Sequence, residues 1–330
     1  MTVRAALLSF VLILFLAAAP ARAAEVLRLG ILKFGTVSWE IETLRRQGLD
    51  PKAGLTLEVA DLANPEAGKI ALLGGSVDVI VSDWLWAARQ RAEGDALSFL
   101  PYSTAVGALM VPPDSPVRSP ADLKGKRIGV AGGPLDKGWL LVRGLTMREH
   151  GFDPADQSQP VFAAPPLLSQ QAETRQLDAL LTYWHFAARL EAKGFRRLLD
   201  VEEAGARLGG GGVLVPSLGY VFREDWARTH PKAVAAFFAA TLEAKAVLAA
   251  DDAAWEPLRP LMRAEDEATF RALRDGYRAG IPKHWGAAEM RAADGIFAVL
   301  ARLGGVPLVG KADRLPTGTF WPDAAIPPAN

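Results

Sequence analysis

The chain has 330 residues, half of them hydrophobic, with 37 basic and 37 acidic residues and no cysteine. This composition predicts a sizeable core and about two domains, and the balanced charge offers no basic field for nucleic acid. Without cysteine, disulfides, thiolate metal sites, a cysteine nucleophile and the acylated N-terminus of a lipoprotein are excluded.

The N-terminus has the features of a secretory signal peptide. Arg4 supplies a basic start, residues 5–19 are apolar, and Ala21-Arg22-Ala23 offers a cleavage site. The apolar stretch is short for a spanning helix, although an uncleaved anchor is the alternative, and we find no second candidate span downstream. We therefore predict a signal peptide over 1–23 and a soluble mature protein in the periplasm.

The first part of the mature chain alternates predicted strands and helices. The strands cover 26–32, 55–59, a segment starting at Val79, 97–102 and 105–111, and the helices cover 39–47 and 65–73. The segment Val111-Pro-Pro-Asp-Ser-Pro116 then breaks the pattern, because prolines cannot continue a central strand. We place a domain boundary there.

The second part begins with a short capped helix over 119–125 and a strand over 126–130. A helix over 139–150, a helix ending near Gln176 and a strand at Ala179 follow. Four glycines at 209–212 predict a flexible loop, and 213–222 reads as a strand that returns to the first domain. The remaining pattern is helical over 224–250, 253–262, 265–278 and 287–303, with a surface tail from 304.

One motif occurs twice, one hundred residues apart. Residues 76–89 and 176–189 share an Asp, an apolar run, a hydroxyl residue, a Trp and Ala-Ala-Arg in the same register. Each copy predicts a buried parallel strand followed by a helix, with Ser82-Asp83 and Thr182 as N-caps. Ligands bind outside the carboxyl ends of such strands, so the two copies could face each other across a cleft. The alternative is that two α/β units resemble each other for architectural reasons alone.

Several catalytic and metal-binding motifs are absent from the sequence. The segment Gly129-Val-Ala-Gly-Gly-Pro134 has neither dinucleotide nor P-loop spacing, which leaves an anion-receiving turn or a purely structural turn. The four histidines show no ligand spacing, and there is no G-x-S-x-G motif. His185 could face the cleft or the surface.

Tryptophan is abundant, with nine residues. Trp39, Trp84, Trp139 and Trp184 each lie near the start of a helix that follows a strand. They either seal these junctions as core residues or form an aromatic wall of the cleft. For Trp84 and Trp184 we predict the second role, with both rings flanking the ligand.

Two stretches, Leu72-Leu-Gly-Gly-Ser-Val-Asp-Val79 and the segment from Asp114 to Val130 containing Asp-Leu-Lys-Gly-Lys-Arg-Ile-Gly-Val, resemble one family. This family is the ABC-transporter periplasmic substrate-binding proteins of the nitrate/sulfonate/taurine type. The resemblance implies an α/β, two-lobed type II binding fold with mixed sheets, flanking helices and a hinged cleft. It implies one lobe from 24–111 and 217–330 and a second lobe from 112–216.

The resemblance also implies where the ligand binds. The expected contacts are Lys33, Phe34, Gly35, Thr36, Trp39, Ser82, Asp83, Trp84, Gly132, Gly133, Pro134, Thr182, Tyr183, Trp184, His185 and Tyr220. Lys33 is the only obvious cation among them, so an organic solute, anionic or aromatic, fits better than nitrate.

The function implied is delivery of a small organic solute to an ABC permease and its ATPase, by a monomer without catalytic activity, cofactor, metal or nucleic-acid partner. Two rival functions remain open. One is an accessory protein that docks on a periplasmic partner. The other is an enzyme similar to pyrimidine-precursor synthases, against which the signal peptide argues.

Overall fold

A computed structural model of the protein describes residues 24–33 and 35–327. The predicted signal peptide and Phe34 lie outside the described residues. The strands are β1 Glu25–Leu32, β2 Leu55–Leu62, β3 Val79–Asp83, β4 Leu97–Ser103, β5 Gly107–Val111, β6 Arg127–Ala131, β7 Gln159–Ala163, β8 Ala179–Tyr183, β9 Arg196–Asp200 and β10 Leu218–Arg223.

The α-helices flank these strands and continue beyond the last one. They are α1 Val37–Arg46, α2 Leu49–Lys52, α3 Pro65–Leu73, α4 Trp84–Glu93, α5 Lys137–His150, α6 Pro154–Gln157, α7 Pro165–Glu173, α8 Trp184–Ala192, α9 Val201–Gly209, α10 Glu224–Thr229, α11 Pro231–Ala250, α12 Arg259–Met262, α13 Glu267–Ala279 and α14 Ala287–Val309. Short 3₁₀ helices cover Pro120–Leu123 and Ala253–Leu258.

The strands form two five-stranded mixed sheets with equivalent topology. The first has the order β2-β1-β3-β10-β4 and the second the order β7-β6-β8-β5-β9. In each sheet, three parallel strands are followed by one antiparallel strand, β10 or β5, that enters from the other half of the chain. The predicted fold class, two mixed sheets flanked by helices, is confirmed.

The pairing of β5 changes the first predicted domain boundary. Gly107–Val111 is hydrogen-bonded between β8 and β9, so it belongs to the second sheet although the sequence placed it in the first lobe. The prolines after Val111 end a strand, but they do not mark the point where the chain changes sheets. We propose that the first crossover is the connection 104–106 and the second the connection 210–217.

The two copies of the repeated motif begin with the same structural contact. The Asp78 carboxylate accepts the backbone N–H of Arg28 at 2.8 Å, and the Asp178 carboxylate accepts that of Arg127 at 2.8 Å. Each aspartate therefore joins the turn before its strand to the neighbouring parallel strand. This contact accounts for the repeated aspartate through sheet architecture.

The Ala-Ala-Arg part of the motif packs the following helix against C-terminal helices. All four alanines are fully buried, which lets neighbouring elements approach closely. Arg89 donates to the Pro307 carbonyl in α14 at 3.1 Å, and Arg189 donates to the Met262 carbonyl at the end of α12 at 2.7 Å. Both repeat helices are thus anchored to the C-terminal part of the chain.

The C-terminal region differs from its predicted outline in two places. Helix 224–250 is interrupted at His230, because Pro231 restricts the residue before it and starts a new helix. The predicted surface tail is largely packed, since α14 extends to Val309 and Trp321 lies 5.5 Å from the Phe222 ring.

Helix α14 lies against both halves of the molecule, packing on α4, α5 and α9. Gly209 and Gly295 bring α9 and α14 into backbone contact, since a Cβ on Gly295 would lie 2.6 Å from the Gly209 carbonyl oxygen. Only glycine permits this approach, because any side chain would push the helices apart.

Two helices, α11 and α14, are long and apolar enough to cross a membrane by length and composition. The expectation of no further candidate span was therefore wrong on these criteria. Half of the most apolar window of α11 and 39% of that of α14 are buried within the fold.

Candidate functional site

A cavity of about 410 Å³ lies between the carboxyl ends of β1 and β3 in one sheet and β6 and β8 in the other. Its wall is mostly aliphatic and aromatic and includes Ile31, Leu62, Ile80, Leu141, Leu181 and Ile296. A cavity of this size and character suits a small organic molecule.

The N-terminus of α4 faces this cavity and is closed by its own N-cap residue. Asp83 Oδ1 accepts the backbone N–H of Trp86 at 2.9 Å. Asp83 Oδ2 lies 3.2 Å from the Lys137 ammonium, which belongs to the other half of the molecule. Burial would raise the pKa of Asp83, but Lys137 and the Trp86 N–H together lower it below its ordinary value. Asp83 is therefore an ionised carboxylate with both oxygens engaged.

The N-terminus of α5 is closed in the same way. Asp136 Oδ1 accepts the backbone N–H of Trp139 at 3.1 Å, and burial raises the pKa of this carboxyl group. The charge of Asp83 raises the pKa of Lys137, so the ammonium stays protonated between two carboxylates. Asp136, Lys137 and Asp83 form a charged cluster that lines the cavity and joins the two halves of the molecule.

The N-terminus of α8 is different, because its N-cap residue Tyr183 makes no side-chain capping bond. The hydroxyl of Thr182, one residue earlier, is buried and has no hydrogen-bond partner among the described residues. Thr182 is therefore not the N-cap that the sequence predicted. Its hydroxyl is an uncommitted hydrogen-bonding group on this wall, whereas the backbone N–H of Trp184 in the first turn of α8 donates to the Val106 carbonyl at 3.1 Å.

The structure brings together nine of the predicted site residues around the cavity. These are Gly35, Thr36, Ser82, Asp83, Trp84, Thr182, Tyr183, Trp184 and His185. Trp84 and Trp184 are only 3% and 7% exposed, so each ring lies mainly in the core and only part of it faces the cavity.

The structure does not place the other described candidates in the cavity wall. These are Lys33, Trp39, Gly132, Gly133, Pro134 and Tyr220. Gly132 has a φ of 95°, and a Cβ there would lie 3.0 Å from the Asp136 carboxylate and 3.2 Å from the Tyr183 hydroxyl. The glycine turn therefore makes room for site residues without lining the site itself.

Trp39 and Tyr220 belong instead to a buried cluster behind the cavity. The Tyr220 hydroxyl donates to Glu40 Oε1 at 2.5 Å, and the Tyr277 hydroxyl donates to Glu40 Oε2 at 2.8 Å. Lys245 forms an ion pair with the same carboxylate, while Trp39 packs 6.0 Å from the Tyr277 ring. Tyr220 is thus a structural residue, because its hydroxyl is committed to Glu40.

Sequence reasoning did not predict two members of the charged cluster, Asp136 and Lys137. Asp136 and Lys137 follow a predicted strand at the start of a helix, the same placement that identified Ser82, Asp83 and Trp84. The glycine-rich turn just before them was predicted to contact the ligand instead. Lys33 is consequently not the only cation near the site, since Lys69 and Lys137 both line the cavity.

Comparison with known proteins identifies the family. The profile of the family described as NMT1/THI5 like matches residues 46–254. The chain belongs to the NMT1/THI5-like family. No match was found among curated protein sequences.

Solved structures of substrate-binding proteins share this fold with the NMT1/THI5-like chain. The alkanesulfonate-binding protein SsuA from Xanthomonas axonopodis pv. citri, bound to MOPS, aligns with a TM-score of 0.66 and 18% identity over 91% of this chain and 99% of that one. The periplasmic aliphatic sulphonate-binding protein SsuA from Escherichia coli aligns with a TM-score of 0.69 and 18% identity over 87% of this chain and 91% of that one.

The periplasmic nitrate-binding protein NrtA from Synechocystis PCC 6803 gives a TM-score of 0.54 and 13% identity over 80% of this chain and 71% of that one. The resemblance to periplasmic substrate-binding proteins that the sequence showed is confirmed at the level of the fold. At these identities the likeness establishes the fold.

His185 is expected to make stability depend on pH. Burial, together with the charge of Arg189, lowers the pKa of His185 to about 4, whereas an unfolded histidine titrates near about 6.5. The unfolded state therefore binds the proton more readily, and the contribution of neutral His185 to stability is lost as the pH falls through this interval.

The test compares the protein with the His185→Gln variant by urea denaturation between pH 4 and pH 8. Taking the difference between the two proteins cancels the opposite slope from Glu202, whose pKa burial raises to about 7. We expect the difference in unfolding free energy to be constant above pH 7 and to change steadily below it. Parallel pH profiles would contradict the buried, neutral state of His185.

Proposed function

We propose that the protein is the solute-binding component of an ABC importer, exported through residues 1–23 and acting in the periplasm as a monomer. It takes up a small organic solute between its two halves and delivers the solute to the permease. The apolar cavity at the carboxyl ends of β1, β3, β6 and β8 is the observation that carries this proposal.

The charged cluster supports a role in solute capture. Asp83 lies in the first half and Lys137 in the second, so their contact joins the halves across the cavity. The exposed lining residues Leu32, Pro65 and Tyr183 lie at the solvent side of the same cavity. Closure of two lobes over a solute is the motion by which periplasmic binding proteins act.

A thermal-shift screen of periplasmic metabolites tests this function. A compound present at a hundred times its Kd stabilises the folded protein by about 2.7 kcal/mol, which raises the melting temperature by several degrees. The matched control is Ser217→Trp, because Ser217 lies in the second crossover and lines the cavity, so that a large ring there fills the space for a solute. A hit should stabilise the protein and leave this variant unchanged.

Two results would oppose the proposal. One is that no small molecule stabilises the protein while a periplasmic protein partner does. The other is that the compounds found stabilise the Ser217→Trp variant equally, which would place their binding outside the cavity.

A further inference from the structure

The cavity carries its own negative charges at the positions where a binding protein would receive an anion. Helix N-termini attract anions through their free N–H groups and the helix dipole. At α4 and α5 a carboxylate of the protein already binds one of these N–H groups, because Asp83 accepts from Trp86 at 2.9 Å and Asp136 from Trp139 at 3.1 Å. An anionic solute at either helix start would lie beside a carboxylate of the protein.

The cations of the cavity wall are also committed. Among the described residues that line it, these are Lys69 and Lys137. Lys137 lies 3.2 Å from Asp83, and the Lys69 ammonium lies 2.8 Å from Glu66 and 5.5 Å from the centre of the Trp86 ring. The four charged lining residues, Lys69, Asp83, Asp136 and Lys137, sum to zero without a solute.

We propose, building on the solute-binding function, that the solute is electrically neutral and largely apolar, with a hydrogen-bonding group directed to Thr182. A sulfonate or carboxylate beside Lys137 would lie next to the Asp83 carboxylate and within reach of the Asp136 carboxylate. Like charges brought together in a site of low polarity repel strongly. A cationic solute, for its part, would have to displace the Lys137 ammonium from Asp83.

The uncommitted polar groups suit a neutral partner. Thr182 is 1% exposed, lines the cavity and has a hydroxyl without a hydrogen-bond partner among the described residues. The Tyr102 hydroxyl also lines the cavity without a hydrogen-bond partner among the described residues. A carbonyl or hydroxyl group of the solute can bond to these hydroxyls without carrying a charge into the cavity.

Two fluorescent probes with one carbon skeleton test the charge preference. N-phenyl-1-naphthylamine is neutral, and 8-anilinonaphthalene-1-sulfonate carries a sulfonate on the same ring system. We expect the neutral probe to bind saturably and the sulfonate to bind more weakly by about tenfold or more, since one adjacent uncompensated charge is worth at least that factor. The Ser217→Trp variant should bind neither probe.

The Asp83→Asn variant makes the test specific for the cluster. Asparagine keeps the N-cap acceptor but removes the charge, which frees the Lys137 ammonium for an anion. We expect the sulfonate to gain about tenfold in affinity while the neutral probe changes by less than about threefold. Asp266→Asn is the matched control, because Asp266 is an exposed N-cap of α13 that accepts the Thr269 N–H at 2.7 Å.

The outcomes separate this inference from the proposed function. A wild-type protein that binds the sulfonate as tightly as the neutral probe, or an Asp83→Asn variant without a gain for the sulfonate, overturns the neutral-solute inference and leaves solute binding intact. If neither probe binds saturably, or both bind Ser217→Trp normally, the cavity is not an apolar solute site and the proposed function fails as well.

Discussion

Lys245→Met is expected to lower the free energy of unfolding by about 3–5 kcal/mol, because it leaves a buried carboxylate without its counter-ion. Glu40 and Lys245 are 0% and 3% exposed, and their ion pair lies in the core between α1 and α11. The Lys245 ammonium also lies 4.6 Å from the centre of the Tyr102 ring. Methionine fills most of the space of the lysine, so the loss comes mainly from charge.

Urea denaturation at neutral pH measures this effect against two controls. Lys52→Met breaks an exposed pair with Glu243 at 2.6 Å and should cost less than about 1 kcal/mol. The double variant Glu40→Gln, Lys245→Met should regain much of the loss, because glutamine is uncharged and still accepts from Tyr220 and Tyr277. Equal losses for Lys245→Met and Lys52→Met would contradict the isolation of the buried pair.

Trp184→Ala is expected to cost about 3–5 kcal/mol of unfolding free energy, the range for truncating a buried tryptophan. The Trp184 ring packs edge-on against Trp39 at 5.9 Å, and a Cβ on Gly276 would lie 3.2 Å from it. Trp184 thus joins α8 of the second half to α1 and α13, which pack with the first. This expectation differs from the sequence-based prediction, in which the Trp184 ring flanks the ligand.

Trp86→Ala is the matched control, because Trp86 lies two residues into α4 and is half-buried. It should cost clearly less than Trp184→Ala in the same denaturation experiment. Binding of the neutral naphthylamine probe, measured where each variant is folded, reports the cavity separately. If Trp184→Ala keeps wild-type stability but loses the probe, the ring acts as an open ligand face, as the sequence predicted.

Local features of the site could be predicted from sequence because they depend on neighbouring residues. The apolar runs before Ser82 and Thr182 identified β3 and β8, and the rule that ligands bind at the carboxyl ends of strands placed both at the cleft. The sequence could not distinguish the two helix starts. The Asp83 side chain caps α4, whereas the Thr182 hydroxyl makes no capping bond to α8, and this depends on side-chain direction.

Features that depend on distant residues could not be predicted. Tyr220 donates a hydrogen bond to Glu40, which lies 180 positions away in the sequence, and Lys137 forms an ion pair with Asp83 across the cavity. The sheet that receives β5 is likewise decided by pairing with β8 and β9, since an apolar strand fits either sheet. The repeated motif could be recognised in the sequence, but its structural role could not. Asp78 and Asp178 bond to neighbouring strands, and Arg89 and Arg189 bond to the C-terminal part of the chain.

The backbone contact between α9 and α14 has a consequence for how the solute enters. Gly209 and Gly295 leave no space for α9 to slide along α14, and Ile296 and Leu300 of the same helix form part of the cavity wall. Helix α14 therefore forms a part of the cavity wall that stays in place relative to α9. We expect the solute to enter the cavity where Leu32, Pro65 and Tyr183 are exposed. The contact between Asp83 and Lys137 would then hold the two halves together until a solute enters.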